Sequence, residues 1–217
     1  MKKYILFDND GVLIETEMWY YQASKRALKE FFELELTFER YMEIMSKGQR
    51  AWVIAEEIGI SEDKIIVARE KRDEYYQEYI KTKDITIDGV IDTLKELSKD
   101  YKMGIVTTSR RVDFELAHGG RGITDFMDFV LCVEDYPRSK PHPDPYLKGM
   151  ELFGANKDEC IIVEDSKRGL SSAVNAGIEC VIVHNEFTKT HDFSDASHRV
   201  KKITHLPDLL DSIHCSK

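Results

Sequence analysis

Four apolar or aromatic residues, Tyr4-Ile5-Leu6-Phe7, run directly into Asp8-Asn9-Asp10-Gly11. A short run that ends on charge and glycine reads as a buried parallel strand delivering its carboxyl end to a site. Side chains alternate along an extended chain, so Asp8 and Asp10 can point to one side while Gly11 lets the backbone turn away. Two carboxylates this close repel each other unless a cation joins them. Magnesium suits that need, because it is a hard ion that takes one or two carboxylates and keeps several waters. A solvated Asp-rich turn has the same local wording, so the reading depends on what the other strand ends carry.

Beyond residue 15 the chain changes character. Trp19, Ala23, Ala27 and Phe31 recur every four residues, which predicts a helix over Glu17 to Leu36. A second helical segment runs through Ala51 to Ile58 and stops at Gly59. A third opens at Ser61, with Glu62 and Asp63 in its first turn, and carries Ile65, Ala68, Arg72, Tyr75, Tyr76 and Tyr79 to about Lys83. From Gly89 onward, helices alternate with apolar strands: Met103 to Val106, Phe129 to Val133, Cys160 to Val163 and Cys180 to Val183. Asp144 and Pro145 start one of the intervening helices, which stops at Gly154, and Ser166 caps another that stops at Gly177. The polar stretch Phe187 to Val200 reads as a surface loop. These patterns predict an α/β core, a doubly wound, mostly parallel Rossmann-like sheet, from residues 1–14 and 84–217. An all-α domain, residues 15–83, is inserted into it.

At 217 residues the chain can bury a substantial core, and a formal net charge of −9 argues against a nucleic-acid partner. No apolar run approaches the roughly 20 residues of a membrane span, and no leader opens the chain. The expectation is a cytoplasmic monomer. Cys132, Cys160, Cys180 and Cys215 lack metal or disulfide spacing, and the histidines are scattered, so both types read as packing or surface residues.

Three further polar clusters follow apolar strands or open helices. Thr107, with Thr108 and Ser109 after it, ends the strand Met103 to Val106 and can bind phosphate oxygens through its hydroxyl and the following amides. Lys140 sits in Ser139-Lys140-Pro141-His142-Pro143-Asp144, where the prolines stiffen a loop that aims one cation. Glu164-Asp165 closes the run Cys160 to Val163 and adds a second acidic pair at the same sheet edge.

The order Asp-x-Asp, Thr, Lys, Glu-Asp, each at its own strand end, resembles the haloacid dehalogenase superfamily of phosphotransferases. Its four motifs read here as DNDGV at Asp8 to Val12, IVTTS at Ile105 to Ser109, the Lys140-Pro141 loop, and VEDSKRGL at Val163 to Leu170. Within that superfamily the wording KPHPDPY and EDSxxGxxxAxxAG is similar to the β-phosphoglucomutase and phosphoglycolate phosphatase group. The resemblance implies a magnesium-dependent phosphatase acting on a small phosphorylated metabolite. Asp8 would be the nucleophile and Asp10 the general acid, then base. Asp8, the Asp10 carbonyl and Asp165 would hold the metal, with Glu164 as ligand or orienter. Thr107, Thr108, Ser109 and Lys140 would clamp the phosphoryl group. The helical insert would be a cap over the site, with Arg50 contacting substrate and Lys47, Arg72 and Lys81 as weaker candidates.

Rival readings differ at visible residues. A hydrolytic dehalogenase has no use for Asp10 or Asp165, and a phosphonate hydrolase wants a cap Schiff-base lysine that nothing here identifies. A receiver-like signalling domain has no place for a helical insert of this size. A phosphate-binding protein on an inactive scaffold would not need every motif group intact. The mutases carry a histidine where this chain has Tyr20, and a phenol with a pKa near 10 is a poor proton relay, which favours hydrolysis over transfer.

Overall fold

A computed structural model describes residues 1–47 and 49–215, the Cys215 side chain apart. The Cys215 thiol, named above, lies outside the described residues. The chain divides into two compact units, Met1–Glu15 with Thr86–Lys217, and Thr16–Ile85. No helix among the described residues is long and apolar enough to cross a membrane.

The first unit is built on six parallel strands: β1 (Tyr4–Phe7), β2 (Lys102–Val106), β3 (Phe129–Leu131), β4 (Cys160–Glu164), β5 (Cys180–Val183) and β6 (His198–Val200). Their order is β3-β2-β1-β4-β5-β6. The chain therefore winds outward from β1 to β3 and then returns to β4 on the other side of β1. In such sheets the crevice at the reversal, beyond the carboxyl ends of the central strands, is where ligands bind. Register brings those ends level, with Phe7 opposite both Ile105 and Val163.

Alternation along the strands supplies a core on both faces. Leu6, Val106 and Ile162 belong to a buried cluster with Tyr146, Leu170 and Ala173, while Ile5, Phe7, Ile105, Ile161 and Val163 are also fully buried. Central strands wetted on neither face read as unbroken apolar runs, which is why β1, β2, β4 and β5 were visible. A helix over Asp144–Phe153 lies so close to the sheet that a methyl group at Gly149 would meet Leu6 Cδ2 at 2.7 Å.

Two expectations need correction here. The stretch Phe187 to Val200 is not loop throughout, because its end forms β6, which pairs with β5 from Val181↔His198 to Val183↔Val200. An edge strand three residues long shows no apolar run. The strand read as Phe129 to Val133 stops at Leu131, and Val133–Asp135 turns as a 3-10 helix capped by Asp135 on the Cys132 amide.

The second unit is helical: α1 (Glu17–Phe32), α2 (Phe38–Ser46), a single turn α3 (Val53–Glu56) and α4 (Glu62–Thr82). α1 packs along α4. α1 ends four residues earlier than its apolar pattern suggests, because Glu33 turns into the left-handed region at φ 58°. The Ala51 to Ile58 segment shrinks to α3, with turns on either side. Aromatic rings pack together in this unit: Tyr21 lies tilted against Tyr41, and Tyr20 meets Tyr76 edge-on.

The remaining helices of the first unit are α5 (Val90–Leu97), α6 (Arg111–His118), α7 (Asp144–Phe153), α8 (Lys167–Ala176) and α9 (Leu206–Cys215).

Candidate active site

β1 ends at Phe7, and the chain then turns sharply. The Asn9 carbonyl accepts the amides of Val12, Leu13 and Ile14. Gly11 makes the turn possible at φ 82°, and a Cβ there would stand 2.2 Å from Asp165 Oδ2 and 2.6 Å from Asn185 Nδ2. The Asp165 carboxylate is thus pressed against the bend that presents Asp8 and Asp10. Asn185, after β5, ties the bend down through the Gly11 carbonyl and the Glu15 carboxylate.

Lys140 links three strand ends. Its ammonium donates to Asp8 Oδ1 at 2.7 Å, to Glu164 Oε1 at 2.7 Å and to the Val106 carbonyl at 2.9 Å. Glu164 is fully buried and its oxygens are engaged. Oε1 also accepts the Tyr146 hydroxyl at 2.7 Å, and Oε2 accepts the Asp165 and Ser166 amides and the Ser166 hydroxyl. The first turn of α8 makes room for this carboxylate, since a Cβ at Gly169 would fall 1.7 Å from Oε1.

One cation serving two buried carboxylates leaves the account unbalanced. Burial opposes the Glu164 charge, but Lys140 and the converging donors hold its pKa below the usual glutamate value. Burial likewise opposes the Lys140 charge, and Asp8 with Glu164 outweighs it, so the ammonium pKa is raised. Asp8 is left short: burial and then the Glu164 charge push its carboxyl up to about 7, against the pull of Lys140. One oxygen each of Asp8, Glu164 and Asp165 lies within 4.8 Å of the others. A hard dication is the group this donor set fits, since it restores the charge balance that Lys140 alone does not.

Asp10 is held differently. Its Oδ2 accepts the Ser109 hydroxyl at 2.8 Å, the Thr107 hydroxyl at 3.3 Å and the Asn9 amide at 3.3 Å. Thr107, fully buried after β2, also accepts the Ser109 amide at 3.0 Å, and its carbonyl takes the Tyr136 hydroxyl. Thr108 stands beside it with its hydroxyl bonded to Arg168.

The structure brings together Asp8, Asp10, Thr107, Ser109, Lys140, Glu164 and Asp165, with Thr108 adjoining. Arg50 belongs to the helical unit, exposed in the turn before α3, where its carbonyl accepts the Val53 amide. Lys47 pairs with Glu43, and Lys81 is exposed. Arg72 is buried, with its guanidinium 4.3 Å from the Tyr20 ring centroid. Sequence reasoning assigned no role to Tyr146, Asn9, His118 or Asn185. Tyr146 had a signal, since it follows the Lys140 loop on the first turn of α7.

Residues 5–183 match the family model described as haloacid dehalogenase-like hydrolase. The chain belongs to that family. Among its relatives, pyrophosphatase PpaX of Bacillus mycoides is 28% identical over 180 residues, 82% of each chain. CbbY from Rhodobacter sphaeroides, crystallised with xylulose-(1,5)bisphosphate, superposes with a TM-score of 0.82 at 21% identity, covering 95% of this chain and 96% of that one. A predicted phosphoglycolate phosphatase from Haemophilus somnus reaches 0.84 at 20% identity over 96% and 98%. At these identities the two structures speak for the fold, a haloacid dehalogenase Rossmann-like core.

Proposed function

We propose that the protein hydrolyses a small phosphate monoester, with magnesium, through an aspartyl phosphate on Asp8. The observation that carries this reading is the division of labour between the two aspartates. Asp8 is buried against Lys140, whereas Asp10 is bonded through one oxygen to the hydroxyls of the Thr107-to-Ser109 turn.

Asp8 attacks phosphorus opposite the leaving oxygen. The bond from Asp8 to phosphorus forms as the ester bond breaks, and the departing oxygen takes the proton carried by Asp10. Asp10, now a carboxylate, removes a proton from water; the water oxygen displaces Asp8 from phosphorus, and inorganic phosphate leaves. Lys140 and the Thr107-to-Ser109 turn hold the transferring oxygens. Asp8, Asp165 and the Asp10 carbonyl would hold the magnesium. Glu164, with both oxygens engaged, orients Lys140 and the Asp165 backbone and stands behind the other ligands. When bound, the ion screens phosphate from the nucleophile and offsets charge in the transition state.

Hydrolysis is favoured over transfer by the setting of Tyr20. Its ring carries the Arg72 guanidinium and packs against Tyr76, so it serves the interior of the helical unit and is a poor candidate for a proton relay. The helical unit would supply selectivity, with Arg50 its proposed substrate contact. The test is phosphate release with magnesium from a panel of sugar phosphates, phosphoglycolate and inorganic pyrophosphate, the last because a relative is named for it. A second arm offers β-glucose 1-phosphate with a trace of the bisphosphate. Glucose 6-phosphate as the main product overturns the hydrolase reading in favour of a mutase, and no turnover of any phosphate overturns both.

A further inference from the structure

Behind the Asp8–Asp10 bend lies a polar contact that the reaction above does not use. Asn9 and His118 are both buried, with 1% and 5% of their surfaces exposed, and His118 Nε2 sits 2.7 Å from Asn9 Oδ1. The imidazole stacks on Phe114 with centroids 4.2 Å apart, which fixes the plane of the ring. Asn9 is anchored at its backbone, whose carbonyl takes the three amides of the bend. Its amide nitrogen faces Asp10 Oδ2 at 3.3 Å. Only one arrangement matches donors to acceptors along this line. The amide nitrogen donates to the carboxylate, so the amide oxygen faces His118, and Nε2 must carry the ring proton. Burying a polar imidazole costs free energy unless it is hydrogen-bonded, and Asn9 Oδ1 is the partner His118 has here.

We propose that His118 is a positioning residue for Asp10, acting through the Asn9 side chain. The inference rests on the reading of Asp10 as general acid. Three donors, from Asn9, Thr107 and Ser109, converge on Asp10 Oδ2. An oxygen so occupied is held in one place, and with it the orientation of the whole carboxyl group. Two of the donors come from the turn after β2. Asn9 is the one that comes from Asp10's own bend, and His118 holds its amide against rotation. α6 makes the arrangement possible: it begins just after Ser109 and brings its last residue back beneath the bend. One helix thus connects all three constraints on the acid.

The experiment separates positioning from packing by the leaving group. An alkyl phosphate needs a proton on its departing oxygen, whereas p-nitrophenolate leaves almost unaided, and kcat/KM reports only the half-reaction that forms the phosphoenzyme. With p-nitrophenyl phosphate and the best alkyl phosphate of the panel, Asp10→Asn sets the reference pattern, a far larger loss on the alkyl ester. His118→Leu is expected to lower kcat/KM for the alkyl ester by about ten- to a hundredfold and for the aryl ester by less than about threefold. Asn9→Leu should repeat that pattern, and His118→Gln, which keeps a donor near the position of Nε2, should recover most of the loss. Melting curves of each variant accompany the rates. If Asp10→Asn discriminates between the esters but His118→Leu and Asn9→Leu lower both equally, or neither, the inference is overturned and the reading of Asp10 stands. If Asp10→Asn does not discriminate, or the parent turns over no alkyl phosphate, the reading of the acid falls and the inference with it.

Discussion

The oxygen of Glu164 that binds Lys140 at 2.7 Å is the same one that accepts the Tyr146 hydroxyl at 2.7 Å. A residue on α7, six positions beyond the lysine, therefore helps to fix where the lysine points. Removing the charge at 164 leaves Lys140 with Asp8 as its ionic partner among the described residues. Glu164→Gln should cost roughly 3 kcal/mol of stability, because breaking one side of a buried pair strands the other. Adding Lys140→Met should cost less than the sum of the two single changes. Urea unfolding of the two single variants and the double variant measures this, and strict additivity would argue against coupling.

Asp8→Asn should abolish turnover, because an amide of nearly the same shape is a poor nucleophile. It should also raise the melting temperature of the metal-free protein. The folded carboxyl is raised from 3.8 to about 7, so the fold prefers it uncharged. Metal-free stability is therefore lost as pH rises through that interval, and the amide removes the loss. Melting curves at pH 4.5 and pH 8 in a chelator check the sign: parent and variant should differ more at pH 8.

Magnesium should raise the melting temperature of the parent, and chelation should end turnover. Calcium is larger and accepts more ligands, so it can take both oxygens of Asp8 and occupy the nucleophile. Calcium is expected to inhibit in the presence of magnesium. Turnover with calcium equal to that with magnesium would remove the proposed metal role.

Arg50→Ala should raise KM for the natural substrate several-fold while leaving p-nitrophenyl phosphate within about twofold, if the contact is made only to the part of the substrate a generic ester lacks. Equal effects on both would strike Arg50 from the substrate contacts.

His118 gives the acid limb of the stability curve. Burial lowers its imidazole from 6.5 to about 4, with Asp10 pulling upward and Arg121 downward. A histidine that folds neutral contributes stability in full above its unfolded pKa and loses it as pH falls toward the folded value. The loss between pH 6.5 and 4 is on the order of 3 kcal/mol. His118→Gln should flatten that limb, as seen by denaturant unfolding at pH 7 and pH 4.5.

Legibility in the sequence followed burial. Asp8, Thr107 and Glu164-Asp165 each end an apolar run, and the runs are apolar because the strands beneath them are covered on both faces. Lys140 stood out through its prolines. α6 went unread, since Arg110-Arg111 and Gly119-Gly120 frame only eight residues. The contact between Asn9 and His118 spans 109 residues of sequence, and a lone histidine carries no signal of what it will touch. β6 was hidden because an edge strand is wetted and needs no apolar pattern.

The missing side chain at Gly169 is a mould of the Glu164 carboxylate. Alanine forms helices better than any other residue, and glycine in a helix costs about 1 kcal/mol against it. At this one position of α8, backbone preference and the anchoring of Lys140 demand opposite residues, and the fold has settled for the poorer helix. Enriching helices with alanine to gain heat resistance would make the α8 segment itself more helical and push the carboxylate out of its seat. The enzyme would be disarmed by a methyl group on a residue whose own atoms take no part in the chemistry.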